Sequence, residues 1–178
     1  SGVLSNNNIT EILITDEGEV LLASIDGLNI YNKQNDTFER IFEEDQLADQ
    51  EIYSLDQDKN GDIWVGSSTG FTRINLKDKS YIKYSESSME NGNLNDCIYK
   101  ILCYDDYVWF GTLNSGLIKI NIETLKLERI NTKNSSLPSD NIKTILIDNK
   151  GVLWLGTNSG LVKFDSQKDL YISYVNKP

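Results

Sequence analysis

A glycine followed at once by an apolar residue recurs along the chain at Gly27, Gly70, Gly116 and Gly160, and the rest of the sequence keeps register with it. The following residues are Leu28, Phe71, Leu117 and Leu161. Five positions after the glycine stands Asn32, Asn75, Asn121 or Asp165, and eleven after it Phe38, Tyr81, Leu127 or Tyr171. Upstream lie Leu21-Leu22-Ala23, Trp64-Val65-Gly66, Trp109-Phe110-Gly111 and Trp154-Leu155-Gly156, in steps of 43, 45 and 45 residues. Aliphatic runs precede each of these, at Ile9 to Ile14, Ile52 to Leu55, Ile98 to Cys103 and Ile142 to Ile147. A period of this length restricts the chain to repeat architectures, in which each unit is a supersecondary motif that buries its apolar faces against its neighbours.

Within one repeat the elements are too short for helices, and no segment shows a 3.6-residue apolar stripe. The aliphatic run reads as a first strand and the Trp segment as a second. The segment after the glycine is a third, and a fourth ends in Phe38-Glu39-Arg40-Ile41 or its counterparts. Turn-forming residues such as Asp58-Lys59-Asn60-Gly61 and Asp148-Asn149-Lys150-Gly151 separate the first two strands. Four short antiparallel strands at a 40–50-residue period are the pattern of β-propeller blades. The expected fold is therefore all-β: four repeats of a four-stranded antiparallel sheet, forming part of a larger propeller. A single propeller segment over residues 4–178 is expected, with blades at about 4–43, 47–86, 94–132 and 137–175. The first strand of each repeat is apolar at adjacent positions, as in Ile145-Leu146-Ile147, which predicts burial on both faces.

Charge and composition narrow the function. With 27 acidic against 17 basic residues the net charge is −10, which repels phosphate backbones and argues against nucleic acid as a partner. The chain has no histidine. That removes Ser-His and Cys-His nucleophilic catalysis and most zinc sites, so no catalytic residue, metal or cofactor is expected. No apolar run approaches the 18 or more residues of a membrane span, so this segment is not expected to insert into a bilayer. Ser1-Gly2 reads as a cloning remnant, and no signal peptide is recognisable. Cys97 and Cys103, assigned to one strand, would lie about 20 Å apart, beyond disulfide reach, and are expected as two buried free thiols.

The phrases Gly61-Asp62-Ile63-Trp64-Val65-Gly66-Ser67 and Gly151-Val152-Leu153-Trp154-Leu155-Gly156-Thr157-Asn158-Ser159-Gly160-Leu161 resemble the two-component regulator propeller repeat. So does Leu137-Pro138-Ser139-Asp140-Asn141-Ile142, which is similar to that repeat's lead-in to its first strand. The resemblance spans roughly residues 4 to 174; the first copy departs from it, with Leu21 at the Trp position and Ala23 for the Gly. It implies the extracytoplasmic sensor region of a bacterial membrane-bound signalling protein, such as a hybrid histidine kinase. It also implies ligand sensing, of a carbohydrate or another small molecule, in place of catalysis. A protein-docking scaffold with no small ligand is the alternative.

Several motifs have a plainer reading. Asp56 to Ile63 matches the opening of an EF-hand loop, but Ser67 stands where a bidentate Glu belongs, and the counterpart in copy four is a hairpin turn. The three Trp residues sit at equivalent positions, with a glycine two residues on along the same strand face, which predicts packing rather than sugar stacking. The sequons Asn8-Ile9-Thr10, Asn35-Asp36-Thr37 and Asn134-Ser135-Ser136 read as turns.

The departures between copies are more informative, because propeller function lies on loops. Copy three has an extra residue before its glycine and a short turn at Asp105-Asp106; the longest connection runs from Ser85 to Asn93. The inter-blade connections and the loops before the aligned glycine open onto one face. There Asp49, Glu51, Asp96, Asn114, Asp140, Asn141 and Asn158 are the candidate ligand-binding residues, with capping of strand ends as the plain alternative. Because the end blades of a partial propeller would expose apolar faces, self-association is also expected, as a homodimer through those blades, for which an eight-blade ring is one form.

Overall fold

A computed structural model of the chain describes residues 4–42, 45–84 and 96–176. Every regular element among them is a strand, and the strands form four four-stranded antiparallel sheets in simple sequence order. The first sheet comprises β1 (Ile9–Ile14), β2 (Val20–Ser24), β3 (Gly27–Asn32) and β4 (Thr37–Ile41). The second comprises β5 (Ile52–Gln57), β6 (Ile63–Ser67), β7 (Gly70–Ile74) and β8 (Tyr81–Tyr84). The third comprises β9 (Ile98–Tyr104), β10 (Tyr107–Thr112), β11 (Leu117–Asn121) and β12 (Leu127–Ile130). The fourth comprises β13 (Ile142–Ile147), β14 (Leu153–Thr157), β15 (Gly160–Asp165) and β16 (Leu170–Tyr174). The expected all-β architecture of four-stranded blades is what the chain adopts. It divides into two compact units, residues 1–98 and 99–178, each holding two blades. The connection from Ser85 to Asn93 lies outside the described residues, as do Glu43 and Glu44.

Side chains and glycines shape each hairpin. Between β2 and β3 and at the equivalent turns, one buried or half-buried hydroxyl closes the loop in every copy. Ser24, Ser67, Thr112 and Thr157 donate to the carbonyls of Gly27, Gly70, Gly116 and Gly160 at 2.9, 2.9, 2.8 and 2.8 Å. Those glycines all have positive φ, from +83° at Gly116 to +140° at Gly70, a backbone region that side chains enter at a cost. The first strand carries a bulge just after its first residue in three copies, between Ile9 and Glu11, Ile52 and Ser54, and Ile142 and Thr144.

The two cores are built by adjacent blades. In the first unit Leu21, Ala23 and Leu28 pack with Leu47, Ile52, Leu55, Ile63, Val65 and Ile74. In the second unit Trp109, Leu117 and Ile130 meet Leu137, Ile142, Ile145, Leu153, Leu155, Val162 and Phe164. Truncating any of the Leu, Ile or aromatic residues among these to Ala would cost about 2–5 kcal/mol. Gly111 permits the approach, since a Cβ there would stand 2.8 Å from the Ile142 carbonyl oxygen on the next blade. Hydrogen bonds join the blades as well. Gly27 N–H donates to the Gln50 carbonyl at 2.8 Å and Gly116 N–H to the Asp140 carbonyl at 2.9 Å. Leu55 N–H also donates to Glu11 Oε2 at 2.8 Å.

Burial on both faces of the first strand holds for some copies and not for others. In β5, adjacent Ser54 and Leu55 are both buried. In β1 and β13 burial alternates, leaving Ile12 62%, Ile14 68% and Leu146 63% exposed. The reason lies in the pleat: Leu13 and Ile145 face a neighbouring blade's core, whereas Ile12 and Leu146 point to the opposite, uncovered side. Leu161, Ile172 and Tyr174 share that uncovered side of the fourth blade with Leu146, by strand register. The thiols are also less buried than expected. Cys97 and Cys103 are free as predicted, but both are only half-buried, and Cys97 precedes β9 rather than lying in it.

Candidate functional site

Alternation of strand direction puts the β2–β3 hairpins and the chain entering each first strand at one end of a blade. The seven candidate residues lie at that end, divided between the units: Asp49, Glu51 and Asp96 in the first, and Asn114, Asp140, Asn141 and Asn158 in the second.

In the first unit Asp49 Oδ1 accepts the Glu51 N–H at 3.1 Å, and Thr69 Oγ1 lies 3.4 Å from its other oxygen. Burial alone would raise the Asp49 pKa. The hydrogen bonds from Ser68, from the Glu51 and Gln50 backbone and from Thr69 outweigh it and hold the carboxyl below its usual range. The same turn recurs with other residue types, as Asn6 Oδ1 accepts from Asn8 N–H at 2.8 Å and Ser139 Oγ from Asn141 N–H at 3.1 Å. Asp49 is thus the acidic version of a turn that any short polar side chain can make. Glu51 is exposed and accepts the Tyr53 hydroxyl at 2.7 Å. Asp96 is buried and accepts the Cys97 N–H at 2.9 Å. Burial, with Asp96 and Glu51 adding to it, pushes the Cys97 thiol up to about 11.

In the second unit Asp140 ties down the inter-blade connection, accepting the Thr132 N–H at 2.7 Å and its hydroxyl at 3.0 Å. Asn114 and Asn158 are exposed at their hairpins. The Asn158 N–H donates to the Asn141 carbonyl at 3.3 Å. Asn141 Oδ1 is buried without a hydrogen-bond partner among the described residues. Asp49 and Asp140 therefore spend their carboxylates on local structure, while Glu51, Asn114 and Asn158 face solvent.

At the opposite end the calcium-like loop proves to be a structural device. Asp58 Oδ1 accepts the N–H groups of Asn60 and Asp62 at 2.9 and 3.1 Å, and Oδ2 accepts Trp64 Nε1 at 2.8 Å. Asp148 repeats the set with Lys150, Val152 and Trp154 at 2.9, 3.1 and 3.1 Å. The Trp rings pack against side chains. The residue directly opposite on the next strand puts a cation over each ring: Arg73 at 5.4 Å from Trp64, Lys119 at 5.0 Å from Trp109 and Lys163 at 5.6 Å from Trp154. Trp64 is fully buried, Trp109 is 3% exposed and Trp154 is half-buried. Asn134 also serves its turn, accepting the Asn131 N–H at 2.8 Å and donating to the Arg129 carbonyl at 2.7 Å.

Copy three breaks this pattern. Cys103 stands six residues before Trp109, where the other Trp copies have the aspartate, and the turn shrinks to Asp105-Asp106. A groove of about 510 Å³ opens there, lined by Tyr104, Asp105, Tyr107, Trp109, Lys119, Ile147, Asn149, Lys150, Gly151, Leu153, Ser166 and Gln167. The Lys119 ammonium lies 4.1 Å from the Tyr107 ring centre. None of the seven candidate residues lines the groove. The signal that could have found it was the short turn combined with the missing aspartate.

The comparisons with known proteins agree with the repeat. The family model described as "Two component regulator propeller" matches residues 46–69 and 136–159. The chain is 42% identical over 60 residues to Histidine kinase P4 of Formosa agariphila, over 32% of this chain and 4% of that protein. The extracellular domain of a hybrid two component system from B. thetaiotaomicron superposes with a TM-score of 0.85 at 21% identity, over 97% of this chain and 25% of that one. A second such domain from B. thetaiotaomicron gives 0.80 at 21% identity, over 97% and 22%. The β-propeller domain of Cps50 (Swd1) from Myceliophteria thermophila gives 0.64 at 12% identity, over 98% and 58%. At these identities the structural likeness speaks for the fold, and the chain spans a quarter or less of the signalling proteins it matches. The blade geometry and the matched segments lead to one statement: the chain is a set of β-propeller blades, two of which carry the two-component regulator propeller repeat, at residues 46–69 and 136–159.

Proposed function

We propose that the chain is a non-catalytic, ligand-sensing propeller segment of a bacterial membrane-bound signalling receptor, positioned outside the cytoplasm. The observation that carries this reading is the regulator-propeller repeat itself, matched in two blades and supported by a histidine kinase relative. The absence of histidine from the sequence is in keeping with binding rather than chemistry. The ligand class is a carbohydrate or another small polar molecule. At the hairpin ends of the blades, Glu51 and Asp96 in the first unit and, separately, Asn114, Asn141 and Asn158 in the second are the groups whose chemistry suits sugar hydroxyls, while Asp49 and Asp140 hold their loops in place.

The test belongs in the full receptor. Asn114→Ala, Asn141→Ala and Asn158→Ala, made together, are expected to abolish ligand-dependent output while basal output and expression persist. An unchanged dose response would remove these residues from the site.

Self-association through the end blades is a second part of the proposal, supported by the uncovered apolar side of the fourth blade. On the third blade the equivalent positions, Trp109, Leu117 and Ile130, are buried by the neighbouring blade. A second copy of the chain is the occupant that continues this interface.

A further inference from the structure

The groove beside Trp109 has a composition that neither the repeat nor the core requires. Its volume of about 510 Å³ falls in the range of small-molecule sites. Two lysines, Lys119 and Lys150, line it against one acid, Asp105, in a protein whose net charge is −10. The Lys119 ammonium is held over the Tyr107 and Trp109 rings, and its carboxylate neighbour Glu128 is 4.0 Å away on an exposed side chain. Tyr104 is 46% exposed, leaving a ring against which a flat molecule can lie.

The indole of Trp109 adds an independent observation. In copies two and four the equivalent N–H donates to Asp58 or Asp148. Trp109 lacks that acceptor, and its Nε1 makes no hydrogen bond among the described residues although the residue is 3% exposed. With no aspartate to accept it, the N–H is left to solvent or to a ligand oxygen.

We infer that this groove binds an anionic sugar, a sugar acid whose carboxylate meets Lys119 and Lys150 and whose ring lies along Tyr104. A ligand oxygen takes the place of the missing aspartate at Trp109 Nε1. The inference deepens the sensor reading and rests on it only for the ligand's biological source; the site is defined by its own residues.

The test uses the whole chain, ¹⁵N-labelled, with sodium glucuronate as probe and methyl glucoside and sodium acetate as controls. The three Trp residues give three indole N–H signals, and Trp109→Phe identifies one of them by its loss. Glucuronate is expected to shift that signal saturably and to leave those of Trp64 and Trp154 in place. Lys119→Gln, which keeps an extended side chain over Trp109 and removes the charge, is expected to weaken glucuronate binding about tenfold. Three results would overturn the proposal: no shift of the Trp109 signal, an equal response to acetate, or methyl glucoside binding as well as glucuronate. Because binding is read on this chain directly, such a failure would leave the receptor reading to its own output experiment.

Discussion

Asp58 Oδ2 accepts the indole N–H of Trp64, six residues further on, at 2.8 Å, and both side chains are buried. The pair joins the β5–β6 turn to the blade's largest side chain, with Arg73 packed over the ring and 3.6 Å from the same carboxylate oxygen. Asp58→Ala leaves three donors and a guanidinium without this acceptor and is expected to destabilise the chain by about 3 kcal/mol. Urea unfolding measures it. If the loss in Asp58→Ala is no smaller in a Trp64→Phe background, the indole bond is not a source of it.

Acid should weaken the protein through its turn aspartates. The Trp154 N–H holds the Asp148 carboxyl below its ordinary value of 3.8, helped by the Lys150 and Val152 N–H groups. Asp49 is lowered too, its hydrogen bonds outweighing burial. A depressed folded-state pKa contributes stability that is present above the unfolded value and lost as pH falls through the folded one. Urea midpoints are therefore expected to hold from neutrality to about pH 5 and to fall below pH 4, less steeply in Asp148→Asn. An identical slope in that variant would refute the assignment.

Cys97 should be a sluggish nucleophile. With its pKa at about 11, it is thiolate to well under one part in a hundred at pH 8. In a Cys103→Ser background, iodoacetamide labelling at pH 8 is expected to run about a hundredfold slower than with a free thiol. Glu51→Gln removes one of the charges that raise the pKa, and should speed it. Rapid labelling of the parent would show that burial does not govern this thiol.

Two glycines separate backbone strain from collision. Gly18 and Gly116 have φ of +78° and +83°. A Cβ at Gly18 would meet nothing nearer than Lys33 Nζ at 3.7 Å, whereas one at Gly116 would stand 2.3 Å from the Ile130 carbonyl oxygen. Gly18→Ala is expected to cost about 1 kcal/mol and Gly116→Ala about 3 kcal/mol or more. Equal midpoint shifts in thermal unfolding would contradict the difference.

The proposed self-association through the uncovered side of the fourth blade is tested by the mass in solution. Light scattering after size exclusion is expected to give twice the mass of one chain. Leu146→Lys with Ile172→Lys should return it to the monomer, by placing charge on exposed apolar positions. A monomeric parent chain would sink the proposal.

The repeat was legible because strands and turns are written locally. The aliphatic runs, the Trp segments and the aligned glycines each state a short element, and the structure places β1, β9 and β13 where those runs begin. The candidate site was legible only as a location. That Asp49 and Asp140 would turn their oxygens back onto the chain while Asn158 faces water depends on loop geometry, which residue type does not encode.

By itself, the sequence determined the period, the strand order and the lack of histidine chemistry, because these follow from residue type and spacing. Tertiary structure decided which identical positions become different. Packing against a second blade buries Leu117 and Ile130, while their counterparts Leu161 and Tyr174 stay exposed. Replacing an aspartate by Cys103 leaves one indole of three without an acceptor and a groove beside it. Burial and hydrogen-bond satisfaction are properties of what comes to lie alongside, and the chain meets those neighbours only once it has folded.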